Sequence, residues 1–121
     1  MDISKTIAKM KENPAFADNV GMVLVHNGVV RAWSRKGKEN VSFLEVAPDL
    51  GKIETIRQEF LTKEGIFDII IEAKSGRFKP GDDLLFIVVA GDLRENVKPV
   101  LADLLDRIKA EAIAKKEVVS A

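Results

Sequence analysis

Basic side chains are the groups in this sequence best able to do chemistry, because it contains no cysteine, no tyrosine and a single histidine, His26. Arg31 ends an apolar stretch and comes just before a polar, basic loop. A guanidinium at such a place can bind a phosphate through two parallel hydrogen bonds. It can equally protect the exposed edge of a strand by its charge. The pattern alone leaves both interpretations of Arg31 open.

A second arginine, Arg94, stands where a predicted strand gives way to a predicted helix. The free amides of a helix N-terminus, together with a guanidinium, form a ready site for an anion. The alternative is an arginine on the surface that pairs with Asp92 or Glu95. Here too the pattern allows both interpretations.

Lys109 and Lys116 are the lysines whose spacing suggests a shared role. Seven residues make about two helical turns, which would place both side chains on one side of a helix, about 10.5 Å apart. A lysine acts as an acid, a base or a nucleophile when burial or neighbouring cations lower its pKa. Near a helix C-terminus, a lysine is also simply favourable with the helix dipole.

The missing residue types exclude several kinds of site. Without cysteine the chain cannot form a disulfide, a thiolate nucleophile, a cysteine-ligated zinc site or a protein-ligated iron–sulfur cluster. The single histidine flanks an Asn-Gly pair and fits a structural role, and one histidine excludes a multi-histidine metal site. Asp82 and Asp83 lack a third ligand at suitable spacing and indicate a turn. We therefore expect no metal.

Length and composition predict one domain over residues 1–121. Hydrophobic residues make up 46% and charged residues 31%, which is the composition of a chain that buries a core. The 19 basic and 19 acidic residues give a net charge of +0, which argues against nucleic acid as a partner. The longest strongly apolar run, residues 84–90, is too short to span a membrane, and residues 1–14 lack a signal-peptide pattern. We therefore expect a cytoplasmic protein.

Hydrophobic spacing and capping residues predict two helices in the first half of the chain. An N-terminal helix falls within residues 1–14, with Asp2 or Ser4 as its cap. A second helix begins at Asp49 and stops at Gly65.

A long C-terminal helix is the last predicted element. Its apolar stripe contains five residues at helical spacing: Val97, Leu101, Leu104, Ile108 and Ala112. Because proline is tolerated only in the first turn, Pro99 favours a helix that begins at Asn96, after a turn near Arg94. This helix would carry both Lys109 and Lys116.

Four extended stretches complete the predicted elements: residues 21–34, 41–46, 66–73 and 84–90. Within the first stretch, Asn27-Gly28 is either the turn of a two-residue hairpin or a bulge in one bent strand. The order α-β-β-α-β-β-α, with short turns between neighbouring strands, predicts an α+β domain with a mostly antiparallel sheet.

Together these features resemble the catalytic (large) subunit of molybdopterin synthase. The resemblance covers residues 21–117 and rests on the order and spacing of several segments. They are GMVLVHNGVVR at 21–31, the strand at 41–46, FKPGDD at 78–83 with the strand that follows, Arg94, and the helix with Lys109 and Lys116.

The resemblance implies an α/β-hammerhead fold and a sulfurtransferase activity. Large subunits of this family form a central homodimer, and each end binds a small ubiquitin-like subunit with a C-terminal thiocarboxylate, which gives a heterotetramer. Sulfur passes to cyclic pyranopterin monophosphate and makes molybdopterin, with no permanently bound cofactor. By position, Arg31 and Arg94 would bind the anionic substrate, and Lys109 and Lys116 would be catalytic. Three further residues would lie beside the substrate: Val29, Val30 and Glu117.

Two other interpretations stay open. A catalytically weak relative would act as a binding or assembly module for a ubiquitin-like partner. An unrelated α+β dimer would carry its basic residues in solvent.

The spacing of Arg94 and Lys109 has a geometric consequence. Fifteen residues span about 22 Å along a straight helix, which is too far for one small substrate to bridge. We therefore predict a site shared across the homodimer, in which Arg94 of the partner subunit faces Lys109.

Overall fold

Two three-stranded sheets and the helices packed on them form the computed structural model, which describes residues 1–35 and 40–119. In the first sheet the strand order is β1-β5-β3, and in the second it is β4-β2-β6. All four strand pairings are antiparallel, which confirms the predicted α+β class. The elements are α1 (Ile3–Met10), α2 (Phe16–Asn19), β1 (Met22–Val29), β2 (Val41–Pro48), α3 (Leu50–Leu61), β3 (Ile66–Ala73), β4 (Gly76–Phe78), β5 (Asp83–Gly91), α4 (Arg94–Glu111) and β6 (Ile113–Val119).

The main core lies between the first sheet and the helices α3 and α4. Ile56, Leu104 and Ile87 are almost fully buried there, and burial of such a side chain contributes about 1.5–3 kcal/mol. Val88, the next residue of β5, points to the opposite face, where it packs against Met10 of α1. The central strand β5 is therefore covered on both faces, as its continuous apolar sequence predicts.

Two helices begin at the capping residues that the sequence predicts. Asp2 accepts a hydrogen bond from the backbone N–H of Lys5 at the start of α1, and Asp49 accepts one from Lys52 at the start of α3. Gly65 follows α3 with a φ of 76°, in the left-handed region that favours glycine. Local signals thus determine where both helices begin, whereas α3 ends at Leu61, before the predicted stop at Gly65.

The first strand contains a bulge, so the hairpin alternative for Asn27-Gly28 is wrong. Its pairing with β5 places Gly28 opposite Leu85 and then shifts, so that Val29 lies opposite Asp83. A bulge bends its strand and changes the direction of the side chains near it. The chain leaves the first sheet at this point.

The long helix α4 begins at Arg94, two residues before the predicted start. Leu93 is its N-cap, and its side chain makes no capping hydrogen bond. Asp92 instead accepts hydrogen bonds from the backbone of Leu93 and the side chain of Asn96. Pro99 lies inside the helix, where it cannot donate a backbone hydrogen bond.

The predicted extension of this helix through Lys116 is also wrong. The helix ends at Glu111, and β6 then pairs antiparallel with β2. The apolar stripe runs as far as Ala112, and neither glycine nor proline marks the turn. Because the pairing with β2 is a contact distant in sequence, local periodicity could not reveal it.

Two short elements, α2 and β4, lie between the predicted helices and strands. Over the ranges 1–35 and 40–119, no helix has the length and apolarity needed to cross a membrane.

Candidate functional site

A cavity of about 330 Å³ opens where the two sheets meet the end of α4. Strand β1, strand β2 and strand β6 each contribute to its wall. Its apolar side includes Leu44, Val46 and Leu85, all of them buried. Its size lies within the range of roughly 300–1,000 Å³ that is typical of small-molecule sites.

The polar wall of this cavity is strongly cationic. One carboxylate, that of Glu117, faces five basic side chains: Arg31, Arg35, Lys74, Lys109 and Lys115. None of the five forms an ion pair with a carboxylate in the described part of the chain. Unpaired cations around a partly apolar cavity favour an anionic ligand.

Lys109 lies in the cavity wall and has a lowered pKa. Partial loss of water around its ammonium group lowers its pKa, and the nearby charges of Lys115, Arg35 and Arg31 lower it further, in that order. Asp106 acts in the opposite direction. A lysine with a lowered pKa exchanges a proton more readily near neutral pH.

His26 lies on the same wall. Burial lowers the pKa of its imidazole, and the charge of Lys109 adds to the effect. Its Nε2 is buried and has no hydrogen-bond partner among residues 1–35 and 40–119. Gly28 leaves room for the ring, since a Cβ at that position would lie 3.1 Å from Nε2. The structural role expected for this histidine stays a prediction.

The alternation of β6 brings Lys115, not Lys116, into the cavity. Lys115 lies opposite Val46 of β2, and both line the cavity. Lys116 lies opposite Glu45, and neither residue lines the cavity; both line a shallow second depression, which Val46 and Lys115 also border. Sequence reasoning missed Lys115 because it assumed a helical period, whereas side chains alternate between faces along a strand.

Arg94 does not line this cavity. Its side chain is 79% exposed, and its Nε lies 3.3 Å from Oε1 of Glu95. Within one copy of the chain, the structure therefore has the surface ion pair that the sequence offered as the alternative interpretation. Lys109 and Arg31 come together, and Arg94 stays apart from them.

The remaining predicted residues all line the cavity: Val29, Val30 and Glu117. Val29 is 48% exposed, whereas Val30 is buried and packs with Leu44. The backbone N–H of Val30 donates to the carbonyl of Asp82, which fixes the wall to the turn before β5.

The cavity residues outside the predicted set include one tryptophan and three basic residues: Trp33, Arg35, Lys74 and Lys115. The ring of Trp33 stacks on the guanidinium of Arg31. No group of three or more His, Cys, Asp or Glu residues in the described chain is arranged to hold a metal ion.

The family of the chain follows from its sequence as well as its shape. The family model described as MoaE protein matches residues 1–111. The chain belongs to the MoaE family. This family is the catalytic large subunit of molybdopterin synthase, a sulfurtransferase of molybdenum-cofactor synthesis. The resemblance identified from the sequence is thereby confirmed.

Solved structures share the fold. Molybdopterin synthase from Staphylococcus aureus is 24% identical, with a TM-score of 0.72 over 84% of this chain and 76% of that chain. Molybdopterin cofactor biosynthesis protein E from Burkholderia multivorans is 23% identical, with a TM-score of 0.75 over 99% and 82%. A complex of subunits 1 and 2 of the molybdopterin-converting factor from Helicobacter pylori is 20% identical, with a TM-score of 0.70 over 98% and 80%. No curated protein sequence matches this MoaE chain.

Proposed function

We propose that the cationic cavity is the place where this MoaE chain carries out sulfur transfer. The sulfur donor is a ubiquitin-like small subunit with a C-terminal thiocarboxylate, and the acceptor is cyclic pyranopterin monophosphate. The observation that carries the proposal is the group of five basic side chains around an apolar wall, which form no ion pair with a carboxylate of the described residues and include a lysine with a lowered pKa.

The chemistry of the reaction suits these residues. The substrate carries a phosphate, which a guanidinium such as that of Arg31 binds with matching geometry. The thiocarboxylate is itself the nucleophile, so the absence of cysteine is no obstacle. Lys109 supplies a proton or a positive charge at the reacting carbon, and Lys115 takes the second position that the sequence assigned to Lys116.

A small subunit and a second copy of the chain complete the proposed assembly. The complex of two subunits from Helicobacter pylori, which has the same fold, supports a partner of this kind. Arg94 is exposed and lies outside its own cavity, which supports a site that receives Arg94 of the partner subunit. A heterotetramer of two large and two small subunits follows. We also place the reaction in the cytoplasm, which is consistent with a biosynthetic family.

Reconstitution tests the proposed function. Purified chain, thiocarboxylated small subunit and cyclic pyranopterin monophosphate are combined, and dithiolene formation is measured. We expect product with the wild type, none with Lys109→Ala, and wild-type amounts with Lys5→Ala, a control that removes an exposed lysine of α1. Binding of the small subunit without any product in the wild type would contradict sulfur transfer and indicate a binding or assembly module.

A further inference from the structure

Arg31 and Trp33 form a stacked pair on the cavity wall. The guanidinium carbon of Arg31 lies 4.7 Å from the centroid of the Trp33 ring, and both residues line the cavity. At this distance the electron-rich face of the ring attracts the cation. The ring can therefore hold the guanidinium plane without help from a carboxylate.

Arg77 provides a comparison within the same molecule. Its guanidinium stacks on Phe43 at 4.6 Å, but it also pairs with Glu45 at 3.4 Å and lies outside the cavity. Arg31 has no ion pair with a carboxylate in the described ranges. Because stacking uses only the face of a guanidinium, the N–H donors on its edge stay available to a ligand.

The backbone holds Trp33 in place. Trp33 forms an antiparallel bridge with Asn40, and the N–H of Val41 donates to the carbonyl of Ala32 at 3.0 Å. The residue is thus tied to the start of β2, while its side chain stays 51% exposed. An aromatic side chain has only two torsions, so little conformational entropy is lost when it serves as a platform.

We propose that Trp33 is a positioning residue for anion binding, because its ring holds Arg31 so that the guanidinium edge faces a phosphate group in the cavity. The proposal rests on the proposed function for the identity of the phosphate ester. Trp33 acts through Arg31 and does not contact the reacting atoms. A guanidinium that is already oriented loses less side-chain entropy when the anion binds.

Binding of inorganic phosphate tests this role without turnover. Trp33 is the only tryptophan, so fluorescence of the wild type reports this site alone, and ³¹P line broadening follows every variant. Trp33→Leu is expected to weaken phosphate binding about two- to five-fold. Trp33→Phe keeps a ring face and restores most of the affinity. Phe43→Leu, which removes the matched stack on Arg77, leaves phosphate binding unchanged.

Steady-state kinetics provide the second readout. In the reconstituted reaction, Trp33→Leu is expected to raise KM for the cyclic phosphate by the same factor and to leave kcat unchanged, because the lost interaction is one of uniform binding. A folding defect would instead reduce the active fraction and lower kcat.

Three results would overturn the role of Trp33: no phosphate binding by the wild type, equal affinity in Trp33→Leu and the wild type, or an equal loss in Phe43→Leu. A wild type that forms no dithiolene contradicts the proposed function instead. The dependence of phosphate binding on Trp33 is still measured in that case, so the two failures are distinguishable.

Discussion

Strand alternation, rather than distance along the chain, decides which lysine near the C-terminus enters the cavity. Lys115 and Glu117, two residues apart on β6, line the cavity, and Lys116 between them does not. A helical period would place Lys116 beside Lys109, whereas the observed strand places Lys115 there. Among the neighbouring charges, that of Lys115 has the largest effect on the pKa of Lys109. A second lysine near Lys109 was predictable from the sequence, but which lysine of β6 borders the cavity was not.

Two alanine variants separate these lysines. Lys115→Ala is expected to lower the rate of sulfur transfer about ten- to a hundred-fold, because a hydrogen bond to a charged group is worth about 1.5–3 kcal/mol. Lys116→Ala serves as the matched control and is expected to stay close to the wild type. Dithiolene formation under identical conditions measures both. The reverse order of effects would contradict the placement of β6.

His26 gives a pH signature that belongs to one residue, because it is the only imidazole in the chain. Its pKa in the folded protein lies below the ordinary value of 6.5, so the unfolded chain binds the proton more tightly. The free energy of unfolding is therefore expected to fall as the pH drops below 6.5 and through the lowered pKa. NMR titration of the imidazole and urea unfolding at several pH values measure the two effects.

The cause of this shift is testable with a charge-removing variant. Lys109→Met is expected to raise the pKa of His26 towards 6.5 but to leave it lowered, because burial is the larger cause. Lys5→Met, on the opposite side of the first sheet, is the control. An unchanged His26 titration in Lys109→Met would show that the two groups do not interact.

At the level of elements, agreement between sequence and structure depends on whether the signal is local. The helices α1 and α3 begin at capping aspartates, so their starts were predictable. The bulge at Gly28 and the strand β6 depend on pairing with β5 and β2, which are distant in sequence. The basic residues of the cavity were recognisable, but their grouping around Lys109 required this pairing.

The junction between α3, β5 and α4 depends on glycines at close approach. Gly65 has a φ of 76°, and a Cβ there would collide with the side chains of Asp92 and Asn96. Gly65→Ala is therefore expected to lower the free energy of unfolding by about 1–3 kcal/mol. Gly51→Ala is the control, because a Cβ in α3 meets only Asp49, at 3.6 Å. In urea unfolding, Gly51→Ala should have a free energy of unfolding about 0.5 kcal/mol above that of the wild type. Equal losses of this free energy in the two variants would contradict the steric argument.

At the scale of the whole molecule, a net charge of zero conceals a strongly uneven distribution. The cavity gathers five basic side chains, whereas the arginines outside it pair with carboxylates, as Arg57, Arg77 and Arg107 do. Arg94 belongs to this second group, but an exposed ion pair such as that with Glu95 is worth little. We expect it to exchange this partner for the phosphate of a substrate held by another copy.

Subunit complementation tests whether the site is shared. Lys109→Ala and Arg94→Ala are each expected to be inactive. Both cavities of the first homodimer lack the lysine, and both cavities of the second lack the arginine that the other copy supplies. After exchange of subunits, about a quarter of the wild-type activity should return, since half of the dimers are mixed and each mixed dimer has one intact site. Lys109→Ala mixed with itself is the control. A mixture that stays inactive, with exchange verified by mass spectrometry, would show that Arg94 and Lys109 do not meet across the dimer.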